Sequence, residues 1–385
     1  MIKVTNKSDC SGCTACMMVC GHGAITMCRD ALGFAYPQVD TSSCVDCGLC
    51  EKVCPCYGDK DKVTNLAGQI AFAARHKNIK EVETSRSGAA FIALSDKIIE
   101  QGGAVYGAAF DAEFRVVHKR AMTKEARDEF KGSKYVQSDL GNVYAMVKAD
   151  LQKGMKVLFS GTPCQTAGLN AFVGNRFRNN LFLVDFVCHG VASPFVWKDY
   201  LAYLCGKEND IIKSVNFRDK KIFGWSGLHK ESFEFKRKGI KTYNYTFYNP
   251  CLLRSSCYAC HFANLLRPSD ITMGDLWGWQ NVAPDFNTDD KGVSLVLCNS
   301  VKGLELFRAA ESSMKTAAID LANCMQHNLK APTPIPSNRE DFESDYSAHG
   351  FKYVMRKYGD IGMAFHFRRV LRLIRRIITK NHIGK

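Results

Sequence analysis

Cys10-Ser11-Gly12-Cys13-Thr14-Ala15-Cys16-Met17-Met18-Val19-Cys20 and Cys44-Val45-Asp46-Cys47-Gly48-Leu49-Cys50-Glu51-Lys52-Val53-Cys54-Pro55 are two copies of one spacing, C-x2-C-x2-C-x3-C. Three cysteines in such a run can wrap one face of a cubane cluster, while the fourth reaches across to the other cluster. The spacing therefore predicts one 4Fe-4S cluster on Cys10, Cys13, Cys16 and Cys54, and a second on Cys44, Cys47, Cys50 and Cys20. Zinc is the competing reading, since paired C-x2-C units also suit tetrahedral zinc. Zinc has no use for a third cysteine at x2 in each run, nor for the trailing Cys54-Pro55, so clusters are favoured. Gly21 stands where the first run would usually carry proline. Ile25 to Val39 reads as a hairpin turning at Asp30 to Gly33. Cys28 and Cys56 fall outside the pattern and read as spare or buried thiols.

Working outward, the chain has 385 residues, of which 46% are hydrophobic. That is ample for a core and suggests two or three domains. The stretch from Met1 to Lys7 has no apolar h-region, so the 18 cysteines point to a reducing cytoplasm and away from a disulfide scaffold. Two solvent-near clusters suggest an oxygen-sensitive protein and an anaerobic host. No apolar stretch reaches the length of a spanning helix. The net charge of +14 is uneven: residues 351–385 carry ten Lys/Arg against one Asp/Glu, whereas residues 1–60 carry five against six. A basic tail rather than a basic body argues against nucleic-acid reading.

Apolar segments alternate with helical patterns after the cysteine runs. Tyr57 to Leu66 reads as a linker. Strands are expected at Gln69–Arg75, Ala104–Phe110, Val157–Phe159 and Leu181–Val187, the last apolar except for Asp185. Helices are expected at Ala89–Gln101, Asp139–Lys153, after Gly161-Thr162-Pro163-Cys164-Gln165 to about Phe172, and from Ser193-Pro194 to Leu204. Ile212 to Phe247 alternates like an antiparallel excursion. The fold class that follows combines α+β and α/β: an N-terminal bacterial-ferredoxin-like domain at residues 1–60, an α/β domain with a mostly parallel sheet at 67–330, and a basic helical tail at 337–385. Functional loops in such sheets gather at the carboxyl ends of strands, where this reading puts Cys164 and Cys188.

Cys257-x2-Cys260 follows Cys251 and precedes Ser269-Asp270-Ile271-Thr272-Met273-Gly274-Asp275-Leu276-Trp277-Gly278. Two cysteines at strand ends plus one C-x2-C pair offer four ligands for a third 4Fe-4S cluster. Spacing alone leaves this level with ordinary buried thiols at Cys164 and Cys188 and a zinc-binding Cys257/Cys260 pair.

The set Ser85-Arg86-Ser87-Gly88, Lys131-Gly132-Ser133-Lys134-Tyr135-Val136-Gln137-Ser138, Gly161-Thr162-Pro163-Cys164-Gln165, Cys188-His189-Gly190-Val191, Cys257-x2-Cys260 and Ser269-Asp270-Ile271-x2-Gly274-Asp275 resembles the beta subunit of coenzyme F420 hydrogenase/dehydrogenase, in the bacterial branch with a fused ferredoxin module. The resemblance spans about residues 1–300. It implies a flavin, normally FAD, beside a 4Fe-4S cluster held by Cys164, Cys188, Cys257 and Cys260, with Cys251 as a substitute. Coenzyme F420 is the hydride partner of some members of that family. The branch is often linked to surface-polysaccharide gene sets. Arg86 and Ala89 depart from the usual Ser-Ser-Gly-Gly turn, which bears on the details of flavin contact.

Ser87 and Gly88 open a helix, where backbone N–H groups suit a flavin phosphate or ring oxygen as well as simple capping. Ser133 and Lys134 would bring polar groups to the same cofactor, although alone their segment reads as a surface loop. His189 adjoins a cluster ligand and is the candidate catalytic proton donor, against the commoner role of bonding a carbonyl in a tight turn. Asp270 and Asp275 are expected to position the Cys257/Cys260 loop.

From Phe365 to Ile378 the tail is amphipathic, with arginines opposite Phe367, Val370, Leu371, Ile374, Ile377 and Ile378. Such a helix suits an anionic membrane surface, or the body of this protein or a partner. The leading functional expectation is a cytoplasmic iron–sulfur flavoprotein oxidoreductase acting on a small-molecule or lipid-linked substrate, with ferredoxin or a partner enzyme as redox partner. The alternative is an electron-transfer subunit serving a separate catalytic partner. A redox-sensing regulator on nucleic acid is a third reading, which the confined charge opposes.

Overall fold

The computed structural model describes residues 1–57, 69–227, 230–243 and 249–359. The basic amphipathic tail and nearly all of the linker expected after Tyr57 lie outside the described residues. Strands run in chain order as β1 (Ile25–Arg29), β2 (Ala35–Val39), β3 (Ile70–His76), β4 (Ala104–Phe110), β5 (Val116–Ala121), β6 (Val157–Ser160), β7 (Leu181–Phe186), β8 (Ile212–Asn216), β9 (Glu231–Phe235), β10 (Gly239–Tyr243), β11 (Ile271–Asp275), β12 (Ser294–Cys298) and β13 (Met314–Ile319). They form a β1-β2 hairpin, a β10-β9-β8 sheet, and one large sheet ordered β13-β3-β12-β11-β7-β6-β4-β5.

The middle of the large sheet is parallel: β4 pairs β6, β6 pairs β7, and β7 pairs β11. Leu181 to Asp185 of β7 and all of β12 are buried, as expected of strands covered on both faces. The flanks are antiparallel, with β5 on one side and β12, β3 and β13 on the other. The helix Ala90–Glu100 lies on this sheet and buries Ala90, Ile92, Ala93, Leu94 and Ile98. A Cβ on Gly88 would stand 2.4 Å from the Ala74 carbonyl oxygen and 2.7 Å from the Ser294 nitrogen. The missing side chain there lets the helix entry sit on β3 and β12.

The hairpin, the parallel core and the antiparallel excursion match the sequence reading. β5, β12 and β13 were not anticipated, and β11 was read only as a motif. The helix expected from Asp139 begins at Val143 instead. There the Asp139 carboxylate takes the Gly141 N–H at 3.0 Å, and Gly141 has φ of +48°, which holds a turn in place of the first helical turn. The helix Arg339–Lys357 packs Phe342, Tyr346, Phe351 and Val354 into the core that contains Trp197, Tyr200 and Phe233. The N-terminal module shares cores with the rest of the chain. Cys13, Ala15 and Val53 pack with Tyr144, Val147 and Leu169, while Leu32 and Phe34 pack with Trp197.

One buried polar network holds the loop after Cys260 to the large sheet. The Arg267 Nη2 donates to Asp185 Oδ1 at 2.9 Å and to the Phe186 carbonyl at 3.1 Å, and Nη1 donates to the Phe262 carbonyl at 2.7 Å. Thr272 Oγ1 donates to the same Asp185 oxygen at 2.6 Å. The Arg267 and Asp185 side chains are 1% and 0% exposed. Removing one member of such a pair leaves an uncompensated buried charge, worth about 3–5 kcal/mol. Arg267→Met should lower unfolding free energy by about that amount in anaerobic denaturant titrations; a loss under ~1 kcal/mol would show that Asp185 finds another partner.

Candidate functional site

The two N-terminal cysteine runs fold alike. Gly12 and Thr14 have φ of +68° and +64°, and the corresponding Asp46 and Gly48 have +49° and +71°. Each run thus takes two left-handed steps between its first and third cysteines, then enters a short helix, Ala15–Val19 or Leu49–Lys52. These reversals curl the backbone so that its N–H groups face sulfur. Gly12, Ala15 and Met17 amides bond the Cys10, Cys13 and Cys16 thiols. Ile2 N–H donates to Cys50 Sγ at 3.3 Å.

The crossed partners come together. Cys20 lines one small cavity with Cys44, Cys47 and Cys50. Cys54 lies within electrostatic reach of Cys13, and Cys16 of Cys10. Burial is the main cause pushing the Cys16 thiol up to about 12. Buried thiols that raise one another in this way are stabilised as thiolates only by a cationic partner, which an iron–sulfur core supplies.

Cys164, Cys188, Cys257 and Cys260 also converge, around a cavity of about 40 Å³. Cys164 follows Pro163 at the start of the helix Pro163–Val173, where Thr162 and Gln165 form a capping box. Cys188 leaves the end of β7. Gly190 permits the approach of the other pair: its φ is +128°, and a Cβ there would lie 2.8 Å from Leu253 and 3.1 Å from the Cys257 Cβ. Burial pushes Cys164 to about 12 and Cys257 to about 11, and the neighbouring thiols add to the rise. Amides of Gly190, Val191 and Phe262 bond Cys188, Cys257 and Cys260. No group of three or more His, Cys, Asp or Glu among the described residues is placed to hold a single metal ion. The four cysteines face one another across this space.

Cys56 joins this wall, although spacing put it outside any pattern. Its thiol shares a hydrogen bond with Cys54, which draws Cys56 down and holds Cys54 up. Cys251, held open as a substitute ligand, does not line the cavity. It is buried in the Trp197 core with Sγ 3.2 Å from Asn338 Oδ1.

A larger cavity of about 410 Å³ lies beside this one, within the size range of cofactor pockets. It opens at the carboxyl ends of β6, β7 and β11, where ligands bind in such sheets. Ser87, Ser133, Lys134 and His189 line it. Gly88 does not, since it serves the close packing of β3 and β12. Lys134 Nζ donates to the Glu129 and Lys131 carbonyls, each at 2.9 Å, so it knots its own loop. Burial lowers Lys134 to about 7. The His189 ring stacks on Tyr135 with centroids 5.5 Å apart, and burial lowers its pKa.

Asp270 and Asp275 have other tasks than the expected one. Asp270 accepts from Leu183 N–H at 2.8 Å and from Arg178, tying the entry of β11 to β7. Asp275 accepts from Arg218 at 2.7 Å, which sets that guanidinium on the wall of the larger cavity.

Sequence reading missed His118, which sits in the unanticipated β5 and lines the larger cavity. Its Nε2 lies 3.0 Å from the Ser160 carbonyl. A carbonyl only accepts, so Nε2 carries the proton and Nδ1 is left as an acceptor. That Nδ1 is buried without a partner. Burial lowers His118 to about 4, so the ring is neutral. The same wall carries Arg86 and Arg218, both facing Asp275, and Lys131, paired with Glu81 and Asp128; the orphaned buried acceptor fits a ligand that presents an N–H donor. No helix among the described residues is long and apolar enough to cross a membrane.

Residues 154–322 match the family model for the carboxy-terminal region of the coenzyme F420 hydrogenase/dehydrogenase beta subunit. Residues 9–57 match the 4Fe-4S dicluster domain. No curated protein matches the chain. Among solved structures, a chain of the xenon-derivatised F420-reducing NiFe hydrogenase complex from Methanosarcina barkeri is similar at 16% identity and a TM-score of 0.46, over 75% of this chain and 95% of that one. One polypeptide thus joins a match to the 4Fe-4S dicluster domain, in its N-terminal part, to a match to the C-terminal region of the coenzyme F420 hydrogenase/dehydrogenase beta subunit.

Proposed function

We propose that this protein is an iron–sulfur flavoprotein oxidoreductase. Residues 1–57 would hold two 4Fe-4S clusters on the crossed cysteine sets, and Cys164, Cys188, Cys257 and Cys260 a third. The larger cavity would hold a flavin. The observation that carries this reading is the shared wall: Thr162, Cys188, Gly190, Val191 and Asn328 line both the four-cysteine cavity and the larger one. A flavin, when bound, converts between one-electron carriers and two-electron hydride chemistry.

The roles of the chain's own residues follow. Arg86 and Arg218, which share Asp275, and Lys131, which bridges Glu81 and Asp128, form the polar part of the wall that the ligand would meet. Neutral His118 accepts a hydrogen bond at Nδ1. His189, whose pKa burial lowers, lines the cavity wall as the candidate proton-transfer residue. The organic hydride partner named in the family description, coenzyme F420, is one candidate substrate. The coarser alternative, an electron-transfer subunit that hands electrons to a separate catalytic chain, uses the same clusters without turnover of its own.

Cofactor content after anaerobic purification tests the reading directly. About twelve iron, twelve acid-labile sulfides and one flavin per chain are expected; about eight iron without flavin would leave only the electron carrier. Cys188→Ser should lose about four of those irons while retaining the other eight, since its ligand set is separate from the N-terminal ones. Retention of all twelve would remove Cys188 from the ligands.

His118→Phe keeps a ring over Phe159 but deletes the free acceptor. Flavin binding, followed by fluorescence quenching, should weaken by about 0.5–1.5 kcal/mol, as for loss of one hydrogen bond. An unchanged affinity would place the flavin ring elsewhere.

A further inference from the structure

Five arginines are buried among the described residues: Arg127, Arg218, Arg254, Arg267 and Arg339. Four of them sit against carboxylates, with Asp96, Asp275, Asp185 and Glu343 at 2.7–3.0 Å. Arg254 does not, although it is as fully buried as any of them, at 1% exposure. Its Nε donates to the Cys10 carbonyl at 2.8 Å, Nη1 to Gln137 Oε1 at 3.1 Å, and Nη2 to the Ala35 carbonyl at 2.9 Å. Its guanidinium stands 4.2 Å from the Tyr36 ring centroid. All of these partners are neutral. A buried cation without a counter-charge is strongly disfavoured.

The anions in reach are sulfurs. Nη2 lies 3.6 Å from Cys10 Sγ, and Arg254 lines the cavity of Cys164, Cys188, Cys257 and Cys260. The guanidinium draws down the thiols of Cys10 and Cys257, opposing the larger effect of burial. The remaining cysteine set is different: the cavity of Cys20, Cys44, Cys47 and Cys50 is lined by no Arg or Lys, and the Met1 ammonium there is paired with the Asp46 and Glu51 carboxylates at 3.0 and 2.9 Å.

We propose that Arg254 is a shared counter-charge for the cluster on Cys10, Cys13, Cys16 and Cys54 and for the cluster on Cys164, Cys188, Cys257 and Cys260. A thiolate-bound cluster becomes more negative by one charge on reduction, so a buried cation favours the reduced form and raises the potential. Arg254 therefore sets both inner clusters above the one on Cys20, Cys44, Cys47 and Cys50. One electron at a time, supplied by an external donor of the ferredoxin class, passes from the outer cluster, which is oxidised, to an inner one, which is reduced, and no bond breaks. The part that concerns the third cluster rests on the function proposed above.

The test is an anaerobic redox titration of the full chain monitored by paramagnetic resonance, with iron content measured for each variant. Cys47→Ser identifies the outer signal. Gln137→Glu places a carboxylate at the guanidinium without removing the arginine. It should move both inner potentials to more negative values, by about tenfold or more in the one-electron equilibrium constant, about 59 mV, and leave the outer one in place. Arg254→Met should shift the same two signals, and Arg254→Lys, which keeps the charge, should shift them less. Unchanged potentials in Gln137→Glu, equal shifts of all three signals, or an Arg254→Lys shift as large as that of Arg254→Met would overturn the inference. Eight irons per wild-type chain would remove the third cluster alone, while the shift of the Cys10 signal would still decide the role of Arg254.

Discussion

The buried pair between Arg267 and Asp185 is the constraint on which the rest of the site depends. Cys188 and the Cys257/Cys260 pair lie far apart in sequence, and the isolated bridge between Ala192 and Leu253 is a slight link between their loops. Asp185 sits in β7 just before Cys188 leaves it, and Arg267 follows Cys260 in the loop that returns to β11. Their contact, extended by the Phe186 and Phe262 carbonyls, draws both cysteine-bearing segments to one end of the central strands. Burial alone would expel the Asp185 charge, and it does push that carboxyl above its ordinary value despite the arginine. The pair is tolerable because Thr272 supplies a further donor. Specificity of loop placement, more than stability, is what such a network contributes.

Close approach is the second requirement, and it is met by the absence of side chains. Gly168, on the helix Pro163–Val173, would press a Cβ to 2.8 Å from Cys13 Sγ. Gly12 would do the same to Arg254 Nη1 at 2.8 Å, in a left-handed conformation that glycine adopts without strain. Gly190 serves the Cys257 side. Each glycine stands where the N-terminal module or a cysteine loop meets its neighbour. The module is therefore seated on the α/β body through backbone-level contacts, and the short Cys54-Pro55-Cys56 segment runs from one cysteine set to the wall of the next.

Much of this was legible in the sequence because it is encoded locally. The C-x2-C-x2-C spacing fixes where sulfur falls on a curled backbone, so the two N-terminal runs could be located from residue numbers alone. The apolar runs at Ala104–Phe110 and Leu181–Val187 announce strands buried on both faces. What stayed hidden is encoded by long-range contact. His118 lies in β5, whose alternation of Val116, Val117, His118 and Lys119 is too short and too polar to stand out. Its significance comes from Ser160, across the sheet. Cys56 reads as a spare thiol until the fold carries it to Cys164 and Cys260. Arg254 has no motif at all, since its meaning lies in the carboxylate it lacks. Cys251 shows the opposite error: a cysteine near C-x2-C invites assignment, but Pro250–Leu252 turns it into the aromatic core.

The two cavities make opposite demands on one wall. A cluster site needs thiols kept from water, with amides aimed at sulfur and little space to spare. A cofactor site needs volume, cationic side chains and polar acceptors. The loops after β6 and β7 satisfy both because a strand end presents successive residues to opposite sides. Thr162 and Gly190 stand between the two spaces, Cys164 faces only the smaller, and His189 faces only the larger. Cys188 belongs to both. A substitution on this wall therefore acts on both cavities together, and separating their contributions requires residues that touch one alone: His118 on the larger, Cys260 on the smaller.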